Sequence, residues 1–490
     1  MAIHSIPKPQ NLADFQPKIS NIPSWIIWVQ CVCFALMYSI WTHPQTNFLS
    51  DLCMSIGALL STYILYIHRE FFRTRQALPF WILITLFAWV IFHLLFLSNN
   101  YELQFHELTS IWKRVAIAII FALGFGVALS HAKPSSGQWA MIYAGMLMPA
   151  CIFLFKYILG LYAGNWGWVI PDYLVLYPDR TYIFYLYKTD YTALCLPQLA
   201  ICLAALQHNL KSNRIFILSN AFYLLGIVVT LEVFYLVGIR NGMADSVILL
   251  GVFAMTILNF QIRHMKILGY SREHWKAWAS KLIIILVIVI TTLLLFIRHL
   301  ERSGLWQSLW ADAKVAVQVD QIDKWKYFGS QGYPMNEFGN VVSGSNYERV
   351  AWIVVGLRLV GENPLGYGLV YRSFAHLTKQ KWPESTLDQS HSAWLDLTLG
   401  IGIPGTCLVL GALILALYRA MINVTNNPHN SNQAQWSSRV AWVLWALLLL
   451  WCTSEISQKI HLIALLFWVS FAIGLSRPLE KNSFTQENLN

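Results

Sequence analysis

Residues 279–298 read ASKLIIILVIVITTLLLFIR. The only charges in this run, Lys281 and Arg298, stand near its two ends. A helix rises about 1.5 Å per residue, so about 20 apolar residues cover the roughly 30 Å of a bilayer's hydrocarbon core. The run therefore predicts a membrane span, and it is one of many. Comparable apolar runs fall at about 25–41, 50–67, 79–97, 112–131, 138–160, 190–207, 214–237 and 243–261 before it, and at about 394–418, 436–453 and 458–476 after it. Composition agrees: 57% of the chain is apolar and 12% charged, against about one-quarter charged in soluble domains. The expected fold is an all-α polytopic membrane protein of about twelve transmembrane helices.

Five segments follow from this pattern. Residues 1–24 carry Pro7, Pro9, Pro17 and Pro23 and no apolar run, so they read as a cytoplasmic tail rather than a cleavable signal. Residues 25–298 hold spans one to nine, 299–392 form a large loop, 393–476 hold spans ten to twelve, and 477–490 form a second cytoplasmic tail. Orientation follows from the short connections. One alternate set carries Arg69, Arg73, Arg75, Lys133, Lys211, Arg214, Arg263, Lys266, Arg272, Lys276, Arg419 and Arg439, and is expected to face the cytoplasm. The other set includes THPQTNFLSD at 42–51 and SNNYELQFHEL at 98–108, which lack Lys and Arg and are expected to face outward.

The net charge of +10 is then accounted for by anionic lipid head groups on the cytoplasmic side, with no nucleic-acid partner implied. Residues 299–392 carry nine Lys or Arg against nine Asp or Glu, so the outer face is not a basic patch. Trp25, Trp41, Trp166, Trp168 and Trp436 lie near span ends and fit interfacial belts. The cysteines sit in or at the edges of apolar runs and none lies in the large loop, which excludes a disulfide framework as the organising device.

Two outward connections are longer than turns. Residues 161–189 include Pro171, Asp172, Asp179 and Arg180, and suit a re-entrant or surface-lying piece. Within 299–392, Leu305–Val319 and Tyr347–Val360 read as helices, the second with Tyr347, Val350, Ala351, Val354 and Val355 on one stripe that is expected to pack against the bundle.

Chemistry must come from ionisable groups near the outer face. Arg240 stands in the very short loop VGIRNGM, where the positive-inside bias disfavours a cation; the plain reading is a snorkelling interfacial arginine. Arg349 and Arg358 are nine residues apart, which at about 100° per residue puts them on opposite sides of a helix, so both cannot face one ligand. The stretch DQSHSAWLDLTLGIGIPG at 388–405 carries the polar loop into span ten and places His391 at the boundary. Alone, such a histidine is commonly structural. With Ser390 or Asp388 capping the next helix, however, its surroundings would favour an anion and suit a general base. Lys156 and Glu232 lie inside spans, where ionisable groups are costly. The glycines of GENPLGYG at 361–368 follow no strand and precede no Gly-Lys-Ser/Thr, so they read as a turn and not as a nucleotide loop. No Asp-x-Asp pair of the kind that holds a divalent metal is present, and arginine is the expected agent for neutralising phosphate.

Taken in order, Arg240-Asn241-Gly242, Tyr347-Glu348-Arg349 with Trp352, Asn363-Pro364-Leu365-Gly366-Tyr367-Gly368, and His391-Ser392 followed by Gly400-Ile401-Gly402-Ile403-Pro404-Gly405 resemble the bacterial O-antigen ligase family, which is related to O-antigen polymerases and protein O-oligosaccharyltransferases. The motifs cover the last half of the chain, and the topology covers the whole. Many relatives carry Asn after the histidine, where this chain has Ser392. The resemblance implies a multi-pass enzyme of the bacterial inner membrane acting at the periplasmic face in lipopolysaccharide biosynthesis. Its donor would be a glycan on undecaprenyl diphosphate and its acceptor a sugar of lipid A-core, with no metal or cofactor. His391 would take the acceptor proton and Arg240 and Arg349 would hold the diphosphate, with inversion at the anomeric carbon. Arg358, Asp388 and Arg180 are further candidates for substrate contact. A polymerase or a protein oligosaccharyltransferase would use a different acceptor, and a transporter would use Lys156 and Glu232 as coupling groups.

Overall fold

The computed structural model describes residues 22–476 except 42, 44–45, 132–135, 172–173, 175–187, 213, 215–216, 269–271, 304–307, 427–430 and 455–459. The described chain is helical, with an isolated bridge between Met335 and Val341 as its β contact. In order, the helices are α1 (Ser24–Ile40), α2 (Asn47–Ile67), α3 (Leu78–Phe96), α4 (Tyr101–Glu107), α5 (Lys113–His131), α6 (Ser136–Trp166), α7 (Lys188–Lys211) and α8 (Leu218–Val237). They continue as α9 (Arg240–Leu268), α10 (Arg272–Ser303), α11 (Leu309–Ala316), α12 (Gly344–Glu362), α13 (Ser373–Lys381), α14 (Ala393–Asn426), α15 (Asn432–Thr453) and α16 (Ile460–Leu475).

Among the described residues, ten helical stretches are long and apolar enough to cross a membrane: α2, α3, α4 with α5, α6, α7, α8, α9, α10, α14 and α15. Helices α1 and α16 are apolar but shorter, at 17 and 16 residues. The chain is therefore a polytopic membrane protein. The connection expected at 98–108 is instead mostly helix: Asn100 caps α4 by accepting from the Leu103 amide at 3.1 Å, and a π-helical turn at Leu108–Trp112 joins it to α5. That turn widens the helix just after Glu107.

Small residues set the closest helix contact. A Cβ on Gly474 of α16 would stand 2.1 Å from the Leu123 carbonyl of α5, and one on Gly126 of α5 would stand 2.5 Å from the Phe471 carbonyl. Only glycine permits backbones to approach this closely, which is how helices gain packing energy where lipid removes the hydrophobic drive. Helix α16 is buried along nearly its whole length. Two of the tryptophans expected at interfacial belts, Trp41 and Trp436, are buried instead; Trp436 stacks on Trp139 at 3.6 Å beneath Arg439, so cation–π contact claims it.

The segment between α10 and α14 builds a second, smaller core. Trp325, Tyr347, Ala351, Trp352, Val355, Leu359, Phe374 and Leu387 pack there with Leu395 and Leu399 of α14. Leu305–Val319 narrows to α11, with residues 304–307 outside the described set and Val317 already in a turn. Helix α12 extends beyond the expected Tyr347–Val360 at both ends, and its Gly356 lets Leu395 of α14 sit against the backbone.

The two glycine-rich motifs meet. Helix α14 opens at Gly402, whose φ of 74° and ψ of 174° are open only to glycine at low cost. The freed groups pair with the turn after α12: Tyr367 donates to the Leu399 carbonyl at 2.8 Å, Gly368 to Gly400 at 2.7 Å, and Ile403 to Pro364 at 2.8 Å. The Trp89 indole donates to the Ile401 carbonyl at 2.8 Å. Glu107, set beside the π turn, accepts from the Val370 and Tyr371 amides at 2.6 and 3.1 Å. Helix α14 thus holds the large loop by backbone bonds and α4 holds it by the Glu107 carboxylate, links that no sequence spacing reveals.

Candidate functional site

At one end of the bundle, α8 stops at Gly238, whose left-handed φ of 70° lets its amide reach the Phe234 and Tyr235 carbonyls. Only Ile239 separates this cap from α9, so Arg240 begins the next helix at the same end. The Asn241 side-chain Nδ2 donates to the Ser454 hydroxyl, and the Ser454 carbonyl accepts from the Ala393 backbone amide at 2.6 Å. Deeper by one turn, the Thr453 hydroxyl donates to the buried Asp245 carboxylate at 3.0 Å. The start of α9, the end of α15 and the start of α14 are tied together, which brings Arg240 and His391 to one region although 151 positions separate them (391 − 240).

Helix α12 supplies the third wall. Arg240 donates from its guanidinium to the Ser345 hydroxyl in the first turn of α12. Arg349, four residues on from Ser345 and so on the same face, lies within Coulombic range of Arg240, and each cation raises the cost of the other. The Arg349 Nε is buried without a hydrogen-bond partner among the described residues. Among the described residues neither arginine forms a salt bridge. Two half-buried guanidinium groups held together without carboxylates make a site that an anion would relieve.

His391, two residues before the Ala393 that Ser454 holds, stands at the same end of the bundle on strained backbone. Its φ of 61° is in the left-handed region, at a cost of about 1–3 kcal/mol for a residue with a Cβ. The surroundings impose it. The Ser390 amide donates to Asp396 Oδ1 at 2.9 Å, the Ser390 hydroxyl donates to the Ser392 carbonyl at 3.1 Å, and Ala393 is held by Ser454. The His391 ring stacks on Trp352 at 4.9 Å between centroids with 20° between planes. Phe328 stacks on Trp352 at 5.6 Å, while the Trp352 indole donates to the Trp325 carbonyl at 2.9 Å. Trp352 is thus pinned by its N–H and by a second ring, and aromatic stacking of this kind is worth about 0.5–1.5 kcal/mol beyond burial.

Two expectations need correction. Neither Ser390 nor Asp388 caps α14 through its side chain: the helix starts at Ala393, Asp396 in its first turn takes the Ser390 amide, and Asp388 pairs with Arg372 at 3.6 Å. Arg358 does not face the site. It makes a two-pronged pair with Asp320, at 2.5 and 2.8 Å, on an exposed side of α12. Lys156, buried in α6, lies near His43, whose imidazole burial and the lysine's charge together push down to about 4. Arg180 lies outside the described residues.

Sequence reasoning passed over Glu348. It is buried, its Oε1 accepts from the Tyr333 hydroxyl at 2.8 Å, and its carboxylate feels the charge of His391. Burial raises its carboxyl above the usual range, opposed by the Tyr333 hydrogen bond and by His391. The available signal was spacing: Glu348 and Trp352 are four apart, so they share the face that meets His391.

The fold and site define a class: a polytopic helical membrane protein with a cationic, histidine-bearing site where its large loop meets the end of the bundle. A scan against protein-family models finds no match, and a search of curated proteins finds none that is similar.

Proposed function

We propose that this protein is a membrane glycosyltransferase of the O-antigen ligase type, moving a glycan from undecaprenyl diphosphate to a lipid A-core sugar at the periplasmic face of a bacterial inner membrane. In this reading α1 and α16 complete twelve spans, the loop at 299–392 is periplasmic, and both tails are cytoplasmic. The observation that carries it is the pairing of Arg240 and Arg349, uncompensated by any described carboxylate, beside a histidine fixed on Trp352. The motif resemblance supplies the substrate class.

The chemistry balances without a further reactant. The acceptor hydroxyl oxygen forms a bond to the anomeric carbon and its proton passes to His391. The bond from that carbon to the diphosphate oxygen breaks, and the electron pair leaves on the diphosphate, whose added charge Arg240 and Arg349 neutralise. General-base assistance contributes about 10²–10⁴-fold, and preorganised charge at a leaving group contributes on a similar scale. Attack opposite the leaving group inverts the anomeric centre.

The test is transfer by purified protein in lipid vesicles given an undecaprenyl-diphosphate glycan and lipid A-core. Wild type is expected to form capped lipid A-core, and His391→Ala to lose it while inserting normally. Capping by His391→Ala at the wild-type rate removes the proposal. Product that appears only when a second lipid-linked glycan or a Ser/Thr peptide replaces lipid A-core assigns the acceptor elsewhere in the same superfamily.

A further inference from the structure

We propose that Glu348 is a positioning residue for His391: its carboxylate, fixed by the Tyr333 hydroxyl, stabilises the charged imidazole, while Trp352 one helical turn away sets the ring plane. This rests on the reading of His391 as the base. Glu348 and Trp352 lie on one face of α12, and His391 is stacked against that face. Tyr333 donates to Glu348 at 2.8 Å and itself meets Tyr347 ring to ring at 6.2 Å, so the carboxylate is anchored from a second segment. Glycines clear the space for this anchor: a Cβ on Gly344 would stand 2.4 Å from the Tyr333 ring, and one on Gly329 2.5 Å from its hydroxyl.

A carboxylate is buried here at a cost, among apolar neighbours, and among the described residues its side-chain donor is a neutral phenol. Its nearest use is the positive charge that His391 gains on accepting a proton. The adjacent Arg349 points its charge at Arg240. Helix α12 thus presents two functions on neighbouring positions: Glu348 for the imidazolium, Arg349 for an anion. A base needs its charged form stabilised as the proton arrives, and an opposite charge nearby does that. A planar ring held against Trp352 cannot swing away, so the proton-accepting nitrogen keeps one direction.

The measurement is carbethoxylation of His391 by diethylpyrocarbonate, read by peptide mass spectrometry across pH on the full-length protein in detergent. Only the neutral imidazole reacts, so the midpoint follows its protonation. Removing a nearby negative charge lowers that midpoint. In Glu348→Gln it is expected to fall, and Glu348→Asp, which keeps the charge, is expected to restore at least half of the change. Other charged groups on the described elements around His391 include Arg349, Arg240, Asp245, Asp323, Asp396 and the Arg372–Asp388 pair. All of them stay in place in these variants, so the change reports Glu348. If Glu348→Gln does not fold, Tyr333→Phe carries the same test with a smaller fall expected. An unmoved midpoint in the folded variant overturns the proposal. If wild type transfers no glycan while the midpoint still falls in Glu348→Gln, the pairing stands and the base role fails.

Discussion

Arg349 and Arg358 lie on one helix and differ in what answers their charge. Arg358 turns to solvent and is met by both oxygens of Asp320; the neighbouring cations Lys314, Lys326 and Lys381 likewise find Glu337, Glu384 and Glu362. Arg349 turns inward, lies within Coulombic range of another arginine, and has a buried nitrogen with no acceptor among the described residues. An exposed pair contributes little to stability and holds surface segments together. A cation left uncompensated in a half-buried place is costly unless something else supplies the negative charge. Among the described residues Lys314, Lys326, Arg358 and Lys381 are each met by a carboxylate and Arg349 by none, a contrast that the diphosphate proposal accounts for.

The largest effect should come from the group that handles the proton. His391→Ala is expected to slow transfer by about 10²–10⁴-fold, measured on purified protein with its thermal midpoint checked alongside. Arg349→Ala and Arg240→Ala should each cost about 10²–10³-fold in turnover, and the double variant less than the product of the two, because in the proposed reaction both guanidinium groups serve one diphosphate. Additive losses would mean two separate sites and would break the contrast with Arg358.

Stability and activity should move in opposite directions at Glu348. Its carboxyl is raised in the folded protein, so relative to the unfolded chain it favours folding below the ordinary Glu range and loses that contribution as pH rises through the raised value. At neutral pH the buried charge is a net cost. Glu348→Gln should therefore raise the thermal midpoint at pH 7, and by less at pH 4, while slowing transfer by about tenfold. A lower midpoint at both pH values would make Glu348 a structural residue. Gly402→Ala should act the other way, lowering the midpoint because φ of 74° strains any side chain and a Cβ there would stand 2.3 Å from the Leu365 carbonyl. The smallest change belongs to Arg358→Ala, with transfer within about twofold of wild type.

How legible this was depends on range. Long uninterrupted runs such as 279–298 announce α10 because burial in lipid demands apolar residues in sequence. The opposed faces of Arg349 and Arg358 follow from helical angle alone, and the structure adds which face is which. Helix α4 was hidden because seven mixed residues carry no span-length signal, and its Asn100 cap is legible only once the helix is suspected. The joining of Gly366–Gly368 to Leu399–Gly400 is backbone pairing, which depends on no side chain and leaves only the glycines as a trace. Glu348 and His391 are 43 positions apart (391 − 348), and their approach depends on how α12 lies on α14. His391 was singled out from its place at a polar-to-apolar boundary, but the cap that was expected to explain it is not there. Stacking on Trp352 and the bonds around Ser390 hold it instead.

The central claim is that Arg240 and Arg349 form a diphosphate site and that Arg358 does not. The direct measurement is binding of a short-chain prenyl diphosphate to wild type, Arg349→Ala and Arg358→Ala in detergent, by calorimetry. Wild type and Arg358→Ala should bind alike, and Arg349→Ala should lose at least about tenfold in affinity, the scale of one charge-assisted contact. Equal binding by wild type and Arg349→Ala, or a loss confined to Arg358→Ala, would contradict the account.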